Sequence, residues 1–154
     1  MKQRISLIIV LIASLFGTLA AQTENPSFDP ELAKAFGADD YGMKSYMFVI
    51  LKTGPVVVDD KVVRDSLFAG HLKNIGRLAD EGKLIVAGPL GKNDKTYRGI
   101  FILDVQTIEE AEALLLTDPA ISEKLLDAEI YSWYGAAALR EYLKTQEKVN
   151  KLNF

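Results

Sequence analysis

His71 is the single histidine of the chain, and the chain holds no cysteine. An imidazole changes charge near neutral pH and can take or give a proton, so general acid–base chemistry is the first possibility it raises. A carboxylate on its second ring nitrogen would select one tautomer and stabilise the imidazolium. His71 stands in "FAGHLKNIGRLADEGKLIVAGPL", residues 68–90. There Phe68, Leu72, Ile75 and Ala79 recur at three- and four-residue spacing and form one helical stripe. His71 falls about 60–70° from the middle of that stripe, on a flank shared with Arg64 and Leu78. That boundary position reaches a pocket at the end of a sheet. A half-buried histidine bonded to a backbone carbonyl fits the same position.

Other residues could serve such a pocket. Arg64 carries a charged fork suited to a carboxylate or phenolate, although an arginine near a helix start is commonly solvated. Gly88 lets backbone approach a ligand closely, and Pro89 fixes the turn that follows. Tyr46, Phe48, Tyr131 and Trp133 offer a wall for a flat ring, although aromatic strand residues more commonly pack in cores. Asp118 precedes Pro119 and has the form of a helix N-cap with proline first in the helix. A cap occupies one carboxylate oxygen and leaves the other free. Paired histidines, an HExxH motif, a thiolate cluster and a glycine-rich phosphate loop are all missing from the sequence, so no metal and no cofactor is expected.

These residues must be positioned by a small fold. The chain has 154 residues, 49% apolar and 25% charged, which predicts one globular domain. Lys2 and Arg4 precede an apolar run from Ile5 to about Leu19 and then small residues. This reads as a signal peptide over residues 1–21, cleaved after Ala20 or Ala21, and predicts a secreted or periplasmic protein that leaves the membrane once cut. Without Lys2 and Arg4 the chain keeps 16 basic against 21 acidic residues, a charge near −5. Acidity of that size argues against nucleic-acid binding. Residues 22–44 read as a linker with one helical turn near Pro30–Phe36, capped by Asp29.

The body alternates cleanly. Residues 45–52 are apolar on both alternating sets, which predicts a strand covered on both faces. A helix follows over about 63–81 and ends at Gly82, with Gly70 and Gly76 allowing close approach to the sheet. Strands are predicted at 83–90 and 97–105, a helix at 107–116 capped by Thr107 with Glu110 at capping-box spacing, a short helix from 119, and a last strand at 128–135. A terminal helix is expected from 136 onward. The order β-α-β-β-α-β is ferredoxin-like: an antiparallel sheet with two helices on one face and an extra C-terminal helix. Two helices cover one face only. The other would expose more apolar surface than a monomer tolerates, which predicts a homodimer packed sheet against sheet; residues 22–44 or the tail helix covering that face is the alternative.

The runs "HLKNIGRLADEGKLIVAGPLG" and "GIFILDVQTIEEAEALLLTDPA", followed by an aromatic last strand, resemble the YCII-related (YciI-like) family over about residues 45–134. That resemblance implies a dimeric α/β barrel. It also implies small-molecule chemistry, in some members dehydrochlorination of a hydroxylated aromatic by a histidine–aspartate pair. Carried onto this sequence, the pair is His71 and Asp118. Export departs from the family, whose typical members are cytoplasmic. The combined expectation is an exported small-molecule-binding protein, a cofactor-free lyase or isomerase. The other reading is a non-catalytic dimeric ligand-binding or structural module.

Overall fold

Four strands form one antiparallel sheet, with Met43–Thr53 between Tyr97–Leu103 and Leu126–Ala136 and with Leu84–Pro89 on the outer side of Tyr97–Leu103, in a computed structural model that describes residues 25–151. The signal peptide expected over 1–21 lies outside the described residues. The elements are α1 (Pro30–Phe36), β1 (Met43–Thr53), α2 (Lys61–Asp80), β2 (Leu84–Pro89), β3 (Tyr97–Leu103), α3 (Ile108–Leu115), α4 (Pro119–Ser122) and β4 (Leu126–Ala136). A 3-10 helix (Ala137–Tyr142) and α5 (Leu143–Val149) follow. The arrangement is ferredoxin-like, as the alternation of elements predicts. Among the described residues no helix is long and apolar enough to cross a membrane.

Local chemistry starts each helix. Asp29 accepts from the Glu31 and Leu32 amides, with Pro30 at the first helical position of α1. Asp60 accepts from Val62 and Val63 at the start of α2. Thr107 accepts from the Glu110 amide at 3.2 Å, while Glu110 Oε2 accepts from the Gln106 amide at 2.8 Å. The capping box therefore closes one residue further back than the usual form. Gly82, at φ +66°, takes the left-handed turn after α2.

The strand register divides the apolar residues between two faces. Val49 lies between Phe101 and Ile130, and Met47 and Leu51 share its side. These pack with Leu78, Ala111 and Leu115 of the helices to form the main core. The opposite face carries Tyr46, Phe48 and Ile50, with Trp133 and Tyr131 beside them on β4. Here the expectation of a wholly bare face is corrected. Leu139 of the 3-10 segment and Leu143 at the start of α5 pack over Tyr46, Ile85 and Ile102. The tail covers that end alone. Phe48, Ile50 and Ile100 stay half-buried, and Tyr131 and Trp133 are 49% and 37% exposed. At the margin Lys52 bridges Glu129 at 2.8 Å and Asp127 at 3.6 Å, which holds the Glu129 carboxyl below its ordinary range.

Two further expectations are corrected. The tail is not one helix: it winds as a 3-10 helix and then as α5. The 3-10 segment has no side-chain cap, and it is tied at both ends, by the Ala137 amide to the Gly42 carbonyl and by the Tyr142 hydroxyl to the Ile85 carbonyl. Short tight turns of this type commonly begin a helix under such constraints. The second correction concerns α2. Phe68 and Leu72, expected at the centre of its core stripe, are 41% and 48% exposed. The side that packs inward runs through Leu67, His71, Asn74 and Leu78. The helix is turned because α4 holds it: a Cβ added at Gly70 would lie 2.5 Å from Pro119 Cγ. Gly70 thus serves contact with α4 rather than with the sheet, and at Gly76 an added Cβ would meet nothing within 4 Å.

Candidate active site

The contact between Gly70 and Pro119 brings the next residue on each side together. His71 follows Gly70, Asp118 precedes Pro119, and their side chains meet: Nδ1 of His71 lies 2.6 Å from Oδ2 of Asp118. The carboxylate can only accept when ionised, so the imidazole donates from Nδ1. That leaves Nε2 as the basic nitrogen, with no protein partner among the described residues.

Asp118 is held from several directions. Its other oxygen, Oδ1, accepts from the Ala120 amide at 2.9 Å and caps α4. Its own amide donates to Leu115 O at 3.0 Å, and its carbonyl receives the Ile121 and Ser122 amides. The side chains of His71 and Asp118 are 12% and 1% exposed. Water therefore competes little for their bond, which strengthens it. Capping and pairing use different oxygens of one carboxylate, so the two roles coexist.

The ring itself is clamped. Phe101 of β3 stacks against it at 6.0 Å and 21°, and Phe68 meets it edge-on at 6.4 Å and 88°. One turn along α2, Arg77 Nη2 donates to Asn74 Oδ1 at 2.7 Å and to Thr117 Oγ1 at 2.8 Å, and the Thr117 hydroxyl reaches Asn74 Oδ1 at 3.1 Å. This small network fastens α2 to the residue just before Asp118. A site held by packing and by supporting hydrogen bonds keeps its geometry.

A cavity of about 1270 Å³ opens beside the pair, between α2 and the β2–β3 side of the sheet. His71 is on its wall, with Phe68, Leu72 and Ile75 on the helix side and Phe101 on the sheet side. Phe68 and Leu72 of the apolar stripe therefore face this space, while Ile75 both lines it and packs against the main core. Arg64, Gly88 and Pro89 also line the cavity. Arg64 Nη1 donates to Val58 O at 2.8 Å, so part of its fork steadies the loop between β1 and α2. Tyr46 is a correction. It is fully buried on the opposite face of the sheet, its hydroxyl donating to the Ala136 and Ala137 carbonyls, and cannot line the cavity. The cause is the two-residue strand period: Val49 and Phe101 face the helices, so Tyr46, Phe48, Tyr131 and Trp133 face away.

Four contributors escape sequence reasoning: Phe101, Arg98, Thr117 and Asn74. Phe101 looks like any apolar strand residue. Arg98, which also lines the cavity, is a cation at the start of an apolar strand beside a glycine. Thr117 and Asn74 meet across 43 residues, which local pattern does not encode.

The family model described as "YCII-related domain" matches residues 46–134. Comparison with curated proteins finds no match. Among solved structures, the chain is similar to 5-chloro-2-hydroxyhydroquinone dehydrochlorinase from Burkholderia phenoliruptrix AC1100, in complex with 2,5-dihydroxybenzoquinone. The identity is 23%, the TM-score 0.41, and the alignment covers 56% of this chain and 92% of that one.

Proposed function

The chain belongs to the YCII-related family, and we propose that it is a cofactor-free lyase or isomerase acting on a small organic molecule in the α2–sheet cavity. His71 is the general base and acid, and Asp118 orients it. In such a reaction Nε2 takes a proton from a substrate carbon. The released electron pair forms a double bond and either expels a leaving group or is reprotonated at another atom from the same imidazolium. Asp118 keeps the proton on Nδ1 and balances the charge His71 acquires. The observation that carries this reading is the 2.6 Å bond between His71 Nδ1 and Asp118 Oδ2 on the wall of a large, mostly apolar cavity.

The test begins with thermal-shift screening of small organic acids and phenols. Stabilising compounds are then incubated in deuterium oxide with wild type and with His71→Gln, and exchange is followed by NMR. The expected result is exchange at one position of a bound compound, slowed by about 10²–10⁴ in the variant. Binding without any exchange, or exchange equal in both proteins, refutes catalysis and leaves a ligand-binding module.

Two further parts belong to this reading. The protein is a homodimer, supported by the exposed Tyr131 and Trp133 beside half-buried Phe48, Ile50 and Ile100 on one sheet face. Sedimentation at about twice the mass of one chain is expected, and a monomer at micromolar concentration overturns it. The mature protein is exported, supported by Lys2 and Arg4 ahead of the apolar run at residues 5–19. Mass spectrometry of the secreted or periplasmic fraction should find an N-terminus at Ala21 or Gln22.

A further inference from the structure

We infer that the ligand of this cavity is an elongated amphipathic anion, with its charged head on Arg98 and its apolar body along α2; this rests on reading the cavity as a ligand site. The described residues include four arginines. Arg77 is paired with Glu81 at 2.7 Å, and Arg140 lies 3.9 Å from Asp104. Arg64 and Arg98 have no carboxylate partner among the described residues, and both are on the cavity wall. They stand at the same end of it. Arg98 Nε donates to Thr53 Oγ1 at 2.6 Å, at the end of β1, and Arg64 reaches Val58 on the loop just beyond.

The Thr53 bond orients the Arg98 guanidinium through Nε and leaves both terminal nitrogens uncommitted among the described residues. Those two nitrogens present the parallel donors that a carboxylate accepts in bidentate form. The acidic residues on the wall, Asp80 and Glu81, lie at the far end of α2, about 24 Å along its axis from Arg64. Glu81 is already neutralised by Arg77. Lys73 and Arg77 also stand on the α2 wall, Arg77 paired with Glu81, but the two arginines without a carboxylate partner are together at one end.

Its body is apolar and long. Phe68 and Leu72 present half-exposed side chains to it, and Val56 and Val57 extend the wall at the arginine end. A cavity of about 150 Å³ already accepts a benzene-sized ring, whereas this one holds about 1270 Å³. About 10 Å of helix axis separates Arg64 from His71. A molecule that meets both the arginine end and the imidazole is elongated.

Calorimetric titration of the purified protein with octanoate, octan-1-ol and benzoate tests this, using wild type, Arg98→Gln, Arg98→Lys and His71→Gln. Wild type should bind octanoate about tenfold tighter than octan-1-ol, the scale of a charge-assisted bidentate contact. It should also prefer octanoate to benzoate. Arg98→Gln should bring the acid-to-alcohol ratio close to one, Arg98→Lys should restore part of it, and His71→Gln should leave it within about twofold. A ratio near one in wild type, a ratio unchanged in Arg98→Gln, benzoate binding as tightly as octanoate, or no binding of any probe overturns the inference. His71-dependent deuterium exchange without an anion preference overturns this inference alone. An Arg98-dependent preference without exchange overturns the catalytic reading alone.

Discussion

Asp118→Asn separates the two duties of the buried aspartate. Asparagine keeps an oxygen for the Ala120 amide, so the cap on α4 persists and the fold should lose less than about 1 kcal/mol from that source. The change falls on the other side of the residue. Where Oδ2 accepts from His71 Nδ1 at 2.6 Å, an amide nitrogen would donate. Two donors cannot share that gap, so the imidazole must accept at Nδ1 and carry its proton on Nε2. Nε2 is then no longer a base. Activity should fall on the order of 10²–10⁴, the range of general acid–base catalysis. Because His71 is the chain's one histidine, uniform ¹⁵N-histidine labelling gives the spectrum of a single ring. The neutral ring should show its proton on Nδ1 in wild type and on Nε2 in Asp118→Asn. Asp118→Ala should differ again. It loses the cap and leaves a nearly buried donor unsatisfied, for a combined cost of about 2–4 kcal/mol in denaturant unfolding. The same tautomer in wild type and Asp118→Asn would refute the pairing, because no other described residue holds the proton at Nδ1.

Gly70→Ala places a methyl group 2.5 Å from Pro119 Cγ, so α2 and α4 must part. It should cost about 1–3 kcal/mol in thermal unfolding and weaken the His71–Asp118 bond, visible as a changed ¹⁵N shift at Nδ1. The Tyr46 hydroxyl has its pKa raised, mainly by burial and then by the nearby Asp104 charge. Above pH 10 the unfolded chain would release that proton while the folded chain keeps it. The folded state then binds more protons, and stability falls as pH rises. Tyr46→Phe should lose about 1 kcal/mol at neutral pH with its hydrogen bonds and show a shallower fall in unfolding midpoint between pH 9 and 11. An unchanged slope would show that burial does not hold the phenol neutral.

Much of this molecule is legible one segment at a time. The caps at Asp29, Thr107 and Asp118 follow from side chains that satisfy free amides three residues or fewer away. Strand alternation groups Tyr46 with Phe48 and Ile50, and the recurrence of Phe68, Leu72 and Ile75 marks an apolar helix side. These are short-range properties, set by backbone geometry within one or two turns. The proposals of export and of dimerisation also rest on local signals of this kind, apolar length and apolar alternation.

What alternation and periodicity do not contain is the identity of the neighbour. They say that Tyr46 and Val49 face opposite ways, but not which way the helices lie; docking of α2 and α3 decided that, and put Tyr46 away from the cavity. They say that Phe68 and Leu72 are apolar, but not that the space before them stays open; the contact of Gly70 with Pro119 decided that by turning α2. The pairing of His71 with Asp118 spans 47 residues. A bond of that separation exists only once two helices touch, so the residue types were present in the sequence, while their distance, their shared burial and the free Nε2 belong to the tertiary structure.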